Sequence, residues 1–328
     1  MRAAVLGAGS WGTTLAVHLA NAGHEVALWG RDPASLDQIA ASRENRKFLP
    51  GITLPDRVKV QAKLEVALDR SDVTLFVVPS QALRDVATRV AATGVRSLWA
   101  CASKGLELGT MARLSEVLTR TLDDPDPVVL TGPSHAEEVA RAIPTSLVAA
   151  ARDDARARVV QELCSTDRLR VYTNRDVPGC EYGAALKNVI AIAAGVCDGL
   201  GFGDNTKGAL LTRGLAEIAR LGVAMGAERE TFFGLTGMGD LIATAMSRHS
   251  RNRHVGESIG RGVSLDQTLA GMVMVAEGVH TARAARDLGR AHGLELPITD
   301  QVCAMLFEGT HPARALQALM SRDLKRES

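Results

Sequence analysis

Two stretches of the chain carry residues whose type and spacing suit chemistry. The first is Gly7-Ala8-Gly9-Ser10-Trp11-Gly12, a GxGxxG pattern. It follows the apolar run 3–6 and precedes Leu15, His18 and Leu19 at helical spacing, the strand–turn–helix context in which such a loop binds phosphates. Gly7 would permit the tight turn and Gly9 the close approach of backbone to a pyrophosphate. Gly12 would permit close helix–strand packing, with the helix N-terminus facing the anion. An ordinary glycine turn is the plain alternative; a second strand at 26–28 favours a dinucleotide. That strand runs into Gly30-Arg31-Asp32. An acid here would bind a ribose 2′-hydroxyl, and an Arg would accommodate a 2′-phosphate. Asp32-Pro33 also reads as a helix N-cap with Pro in the first turn. Arg31 is then free for the phosphate, so NADP(H) is expected, with dual use of NAD(H).

The second stretch is Gly183-Ala184-Ala185-Leu186-Lys187-Asn188-Val189-Ile190. Small apolar neighbours point to a buried, closely approached helix. Gly183, Ala184, Ile190 and Ala191 share a face with Lys187. An unpaired ammonium there is costly, and burial lowers its pKa into the range useful for proton transfer. A lysine snorkelling to solvent is the alternative; the absence of any other charge in 182–196 favours the functional reading. Lys104 follows the strand 98–100, at the end of a parallel strand where clefts form. There it could hold a phosphate or polarise a carbonyl, or it could be a surface lysine. The turn Gly132-Pro133-Ser134-His135 follows the strand 128–130 at the same edge, and His135 reads as structural. Arg248–His254 is locally basic and offers hydroxyl, amide and guanidinium donors suited to a phosphate, or it is a solvated helix start. Asp240 just before it could bind a substrate hydroxyl or pair with Lys187.

These residues need a frame. Strands are expected at 3–6, 26–28, 73–78, 98–100, 128–130, 146–149 and 169–172, with helices such as 82–92 and 112–120 between them. That alternation implies a mostly parallel sheet with crossover helices. After Pro178 the period changes to helical throughout, at 182–196, 207–225, 265–269, 279–292 and 298–307. The expected fold is α/β: a Rossmann-like doubly wound sheet in a dinucleotide-binding domain, 1–178, followed by an all-helical substrate domain, 179–328. Domain packing around a shared cleft is the natural arrangement.

Composition agrees with an enzyme of two domains. The 328 residues are 46% hydrophobic but only 3% aromatic, too few stacking platforms for a single-stranded nucleic-acid binder. The 38 basic and 37 acidic residues leave a net charge of +1, so no global field steers the protein to DNA or an anionic membrane. Five scattered cysteines, Cys101, Cys164, Cys180, Cys197 and Cys303, show no metal spacing and fit reduced thiols. No metal is expected. The opening residues lack a signal-peptide pattern, and runs such as 73–78 are too short to span a bilayer. The expected location is the cytoplasm.

At these residues the sequence resembles the bacterial NAD(P)-dependent glycerol-3-phosphate dehydrogenase family, almost end to end. The likeness includes the opening glycines, Phe48-Leu49-Pro50-Gly51-Ile52, Ser103-Lys104-Gly105-Leu106-Glu107, and Gly132 to Ser134 with Ala136-Glu137-Glu138. It continues in Ala185 to Ile190, Asp198 to Asp204, Gly239-Asp240, Ser250-Arg251-Asn252 and Val275-Ala276-Glu277. The resemblance implies a cofactor site lined by Ser10, Trp11, Arg31, Phe48, Gly132, Ala136, Val275 and Glu277, with Lys104 and Arg251 touching both ligands. It implies a substrate held by Lys104, Asp240, Ser250, Arg251 and Asn252, with Ser134 at the junction, and Lys187 as the acid–base group. It further implies reduction of dihydroxyacetone phosphate to sn-glycerol 3-phosphate, a role in glycerophospholipid synthesis, and a homodimer. His135 stands where the family commonly has Phe, and Ala245 where a Cys is frequent. Two rivals are a hydroxyacid or 6-phosphogluconate-type dehydrogenase of the same architecture and a non-catalytic nucleotide sensor. Asp240 and Ser250 to Asn252 favour the glycerol phosphate reading over the first. Lys104, Lys187 and Asp240 argue against the second.

Overall fold

A computed structural model describes residues 1–272, 274–323 and 326. The first half alternates strands and helices: β1 (Arg2–Leu6), α1 (Ser10–Asn21), β2 (Glu25–Trp29), α2 (Pro33–Ser42), β3 (Val58–Gln61), α3 (Leu64–Leu68), β4 (Val73–Phe76) and α4 (Leu83–Ala91). It continues with β5 (Leu98–Cys101), α5 (Leu114–Leu122), β6 (Val128–Thr131), α6 (Ala136–Ala140), β7 (Thr145–Ala150), α7 (Asp154–Cys164) and β8 (Leu169–Asn174). Among the described residues these strands form one sheet of order β3-β2-β1-β4-β5-β6-β7-β8. All neighbours are parallel except β6 and β7. The winding reverses at β1, whose neighbours are β2 and β4, so a crevice opens beyond the carboxyl end of β1.

Both faces of β1 are covered, which is why its sequence is continuously apolar rather than alternating. Ala3 and Val5 join a core with Leu15, Leu19, Leu75 and Leu147; Ala4 and Leu6 join another with Trp29, Phe76 and Leu83. Two expectations need adjusting. The strand expected at 73–78 stops at Phe76, because the chain then turns so that the Val77 carbonyl lies against Gly7. Strand β3 was not expected: it is an edge strand with only two apolar residues and a charged one, Lys59, between them, the composition that keeps edges from pairing with other chains.

The second half is helical: α8 (Val177–Gly199), α9 (Asp204–Ala224), α10 (Asp240–Met246), α11 (Arg251–Gly260), α12 (Leu265–Ala270), α13 (Glu277–Ala291), α14 (Pro297–Phe307) and α15 (Pro312–Met320). A π-helical turn, Leu235–Gly239, leads into α10. Helix α8 is the axle, with nearly every residue buried. It starts five residues earlier and ends three later than its periodicity suggested, so it carries Glu181 and Asp198 as well as Lys187. Each acid has a partner. Glu181 meets Arg113 and Ser115 at the base of α5, and Asp198 meets Lys207 and Arg253. By length and hydropathy α8 could cross a membrane, yet its apolar window is wholly inside the protein.

Helices α8 and α11 touch at their backbones. A Cβ on Gly195 would lie 2.0 Å from the Arg253 carbonyl oxygen, and one on Gly256 would lie 1.9 Å from that of Ile192. Gly256→Ala therefore forces the helices apart and should cost about 3 kcal/mol, the upper end of ordinary overpacking. Gly208, inside α9 with open space around it, is the control: its Ala variant should gain about 0.5–1 kcal/mol. Urea unfolding of both variants against the parent measures the contrast.

Candidate active site

A cleft of about 450 Å³ runs from the carboxyl end of β1 to the N-terminus of α11. It is lined by Gly7, Gly9, Ser10, Trp11, Arg31, Phe48, Lys104, Ser134, Ala136, Lys187, Asp240, Ser250, Arg251, Asn252, Val275 and Glu277. Of the residues expected to bind ligands, only Gly12 and Gly132 lie behind its wall.

The glycine cradle is built as its pattern requires. Gly7 has φ +130°, and a Cβ there would sit 2.2 Å from the Val77 carbonyl oxygen. A Cβ on Gly12 would fall 1.8 Å from the Gly7 carbonyl oxygen. Gly9 differs: nothing in the protein lies within 4 Å of its missing Cβ, so its smallness serves whatever enters the cleft. Next to it, Ser10 begins α1 with its hydroxyl buried and without a partner among the described residues. Open room, an unsatisfied hydroxyl and a helix N-terminus together fit a pyrophosphate. Asn45, which sequence reasoning missed, fixes the loop by donating to the Ala8 carbonyl (2.9 Å) and the Thr13 hydroxyl (2.8 Å).

At the adenosine end, Asp32 caps α2 by accepting from the Ala34 amide, 3.2 Å away. The exposed Arg31 is left at the cleft, as the N-cap reading anticipated. Phe48 closes the other side, with the Lys47 ammonium 5.0 Å from its ring centre.

The charged centre lies between the two halves. Asp240 is 2% exposed and receives Lys104 Nζ on one oxygen (2.7 Å) and Lys187 Nζ on the other (2.9 Å). Burial alone would raise the Asp240 carboxyl, but the two ammonium groups hold it below its usual value. Lys187 also donates to the Thr244 hydroxyl at 2.6 Å. Desolvation lowers Lys187 to about 8, against the pull of Asp240 and with help from the charges of Lys104 and Arg251. Lys104 additionally donates to the Gly132 carbonyl (2.8 Å), and Ser134 to the same oxygen (3.0 Å). Gly132 thus acts on the site through its carbonyl rather than by lining it.

Beyond Lys187, Ser250 caps α11 by accepting from the Arg253 amide at 3.2 Å. Arg251 opens that helix with an exposed side chain. Asn252 is more engaged than expected of a ligand grip. Its carbonyl oxygen accepts from the Gly278 amide and its amide group donates to Asn188, each at 2.9 Å, leaving one N–H. Glu277 likewise has both oxygens on Ser80, one on its amide (3.0 Å) and one on its hydroxyl (2.5 Å), so it ties the helical half to the end of β4. Val275 is exposed beside it. Among the described residues no group of three or more His, Cys, Asp or Glu side chains gathers as for a metal.

Thr244 and Ser80 were also missed. Thr244 had a signal, since it stands four residues after Asp240 and shares its helix face. Ser80, met by a residue 197 positions away, had none.

Two sequence models of one family match the chain. NAD-dependent glycerol-3-phosphate dehydrogenase N-terminus covers residues 2–157, and the C-terminus of the same family covers residues 176–317. A glycerol-3-phosphate dehydrogenase [NAD(P)+] of Chlorobium limicola is 49% identical over 100% of this chain and 99% of its own. One from Prosthecochloris aestuarii is 50% identical over 98% of each. The crystal structure of glycerol-3-phosphate dehydrogenase from Coxiella burnetii superposes with a TM-score of 0.93 at 37% identity, covering 98% of this chain and 99% of that one. With matches of this length falling on both halves and on the cleft between them, the chain belongs to the NAD-dependent glycerol-3-phosphate dehydrogenase family.

Proposed function

We propose that the protein reduces dihydroxyacetone phosphate to sn-glycerol 3-phosphate with NADPH or NADH, reversibly. The observation that carries this is Lys187: an ammonium 5% exposed, held at about 8, sharing Asp240 with Lys104 beside a dinucleotide cradle. Residues 1–178 would hold the cofactor and 179–328 the substrate. Gly9 and Ser10 would take its pyrophosphate and Arg31 a 2′-phosphate. When bound, the nicotinamide supplies or accepts the hydride at C2 of the triose.

The rest of the chemistry falls to side chains of this chain. In reduction, negative charge grows on the C2 oxygen, and Lys187 stabilises it and donates the proton. In oxidation, neutral Lys187 takes the hydroxyl proton. Asp240 keeps both lysines oriented, and Thr244 fixes the Lys187 ammonium from a second direction. The amides at the N-terminus of α11, the Arg251 guanidinium and the free N–H of Asn252 hold the phosphate. That grip orients C2 against Lys187.

The product suits glycerophospholipid synthesis, the working compartment is the cytoplasm, and the working unit is a homodimer. Five free buried thiols support the compartment. Exposed Met238 in the π-helical turn and Ile242 and Met246 along α10 support association. Oxidation of NADPH or NADH by the purified protein, followed by absorbance, tests the reaction. It should depend on dihydroxyacetone phosphate, and turnover only with hydroxyacids would reject the substrate.

Lys187→Ala should lower kcat by about 10²–10⁴-fold while NADPH still binds; near-normal turnover would remove the lysine from its role. Arg31→Ala should weaken NADPH by about ten- to a hundredfold through the lost charge-assisted bonds and NADH far less, as read by KM for each. The pH profile has a defined sign. Oxidation needs neutral Lys187 and should rise as pH passes about 8, whereas reduction needs the ammonium and should fall above it. Steady-state rates in both directions, with and without Lys187→Arg, check this.

A further inference from the structure

Two imidazoles in the cleft have no part in that mechanism. His135 stands just before α6 in the N-terminal half, and His249 precedes Ser250 in the helical half. Both line the cleft, and their ring centres are 6.3 Å apart with planes inclined by 47°. His135 Nε2 donates to the Ala243 carbonyl of α10 at 3.2 Å, so its Nδ1 is the nitrogen left to take a proton.

The charges around the pair come from every element packed there. They are Lys104 after β5, Glu137 and Glu138 on α6, Lys187 on α8, Asp240 on α10 and Arg251 on α11. Burial is the largest influence and holds His135 below its ordinary value. The Ala243 carbonyl and Glu138 oppose it, while Lys187 and Lys104 reinforce it. In the free protein the ring therefore feels Lys187 and Lys104 against Glu138. A phosphate dianion beside Ser250 and Arg251 offsets those lysines and favours an imidazolium.

We propose that His135, facing His249 in the cleft, is an ionisable part of the phosphate end of the substrate site and takes up a proton when a phosphate dianion binds. This rests on reading the cleft as a triose phosphate site. The sign follows from linkage. A group whose bound-state pKa exceeds its free-state pKa strengthens binding as pH falls through the bound value, and the gain is complete below the free value. His135 would thus couple substrate affinity to pH on the acid side of neutrality.

The test is calorimetric titration of sn-glycerol 3-phosphate into the protein near neutral pH, in phosphate-free buffers of different ionisation enthalpy. The slope of apparent heat against that enthalpy counts protons taken up. The ligand's own ionisation, with pKa about 6, enters equally for every variant. The parent should show net uptake, and His135→Phe should leave only the shares of the ligand and of Lys187. KM for dihydroxyacetone phosphate should fall about threefold more in the parent than in His135→Phe between about pH 8 and about pH 6.5. Equal slopes in the parent and His135→Phe, with binding intact, would overturn the role of His135 alone. Failure of the parent to bind any triose phosphate would overturn the substrate reading with it.

Discussion

One buried carboxylate between two lysines holds the site together. Asp240 lies at the start of α10, Lys104 after β5 and Lys187 on α8, so a single triad joins the sheet, the axle helix and α10. Leaving an ion buried without its partner costs several kcal/mol, which makes the three side chains stay or move together. The same arrangement explains why Lys187 keeps a value near 8 rather than far lower. Burial depresses it, and the shared carboxylate restores part of the loss.

The second constraint is geometric. The proposed reaction would join a cofactor cradled by one half to a substrate gripped by the other, which requires the halves to be fixed relative to each other. They are pinned by polar contacts across long sequence separations: Glu277 on Ser80, Glu181 on Arg113 and Ser115, and His135 on Ala243. Apolar contact adds to this where the first turn of α8, Val177 and Cys180, packs on Val129, Val148 and Ala150 of the sheet.

Legibility in the sequence follows the range of the forces involved. The glycine cradle could be read because each glycine answers a local demand, and the strands of the sheet because burial on both faces makes them uniformly apolar. Lys187 stood out because a charge among alanines and isoleucines has a cost that composition reveals. Edge strand β3 escaped because its four residues, Val58-Lys59-Val60-Gln61, form too short and too mixed a run to stand out. Ser80, Asn45 and the full engagement of Asn252 and Glu277 escaped for a different reason. Their partners lie far along the chain, and nothing in a serine or an asparagine says which backbone it will meet. The true length of α8 was hidden because the burial of Glu181 and Asp198 depends on partners outside the helix.

Helix α8 also bears on how the chain is made. It emerges from the ribosome before α11 and α13, the elements that bury it, have been synthesised. During that interval nothing from α11 or α13 covers a segment with the length and hydropathy of a membrane span. Lys187 stands almost at its centre, where a lysine opposes insertion by about 2.5–3.5 kcal/mol. The residue proposed as the proton donor thus also opposes membrane insertion of the segment that carries it.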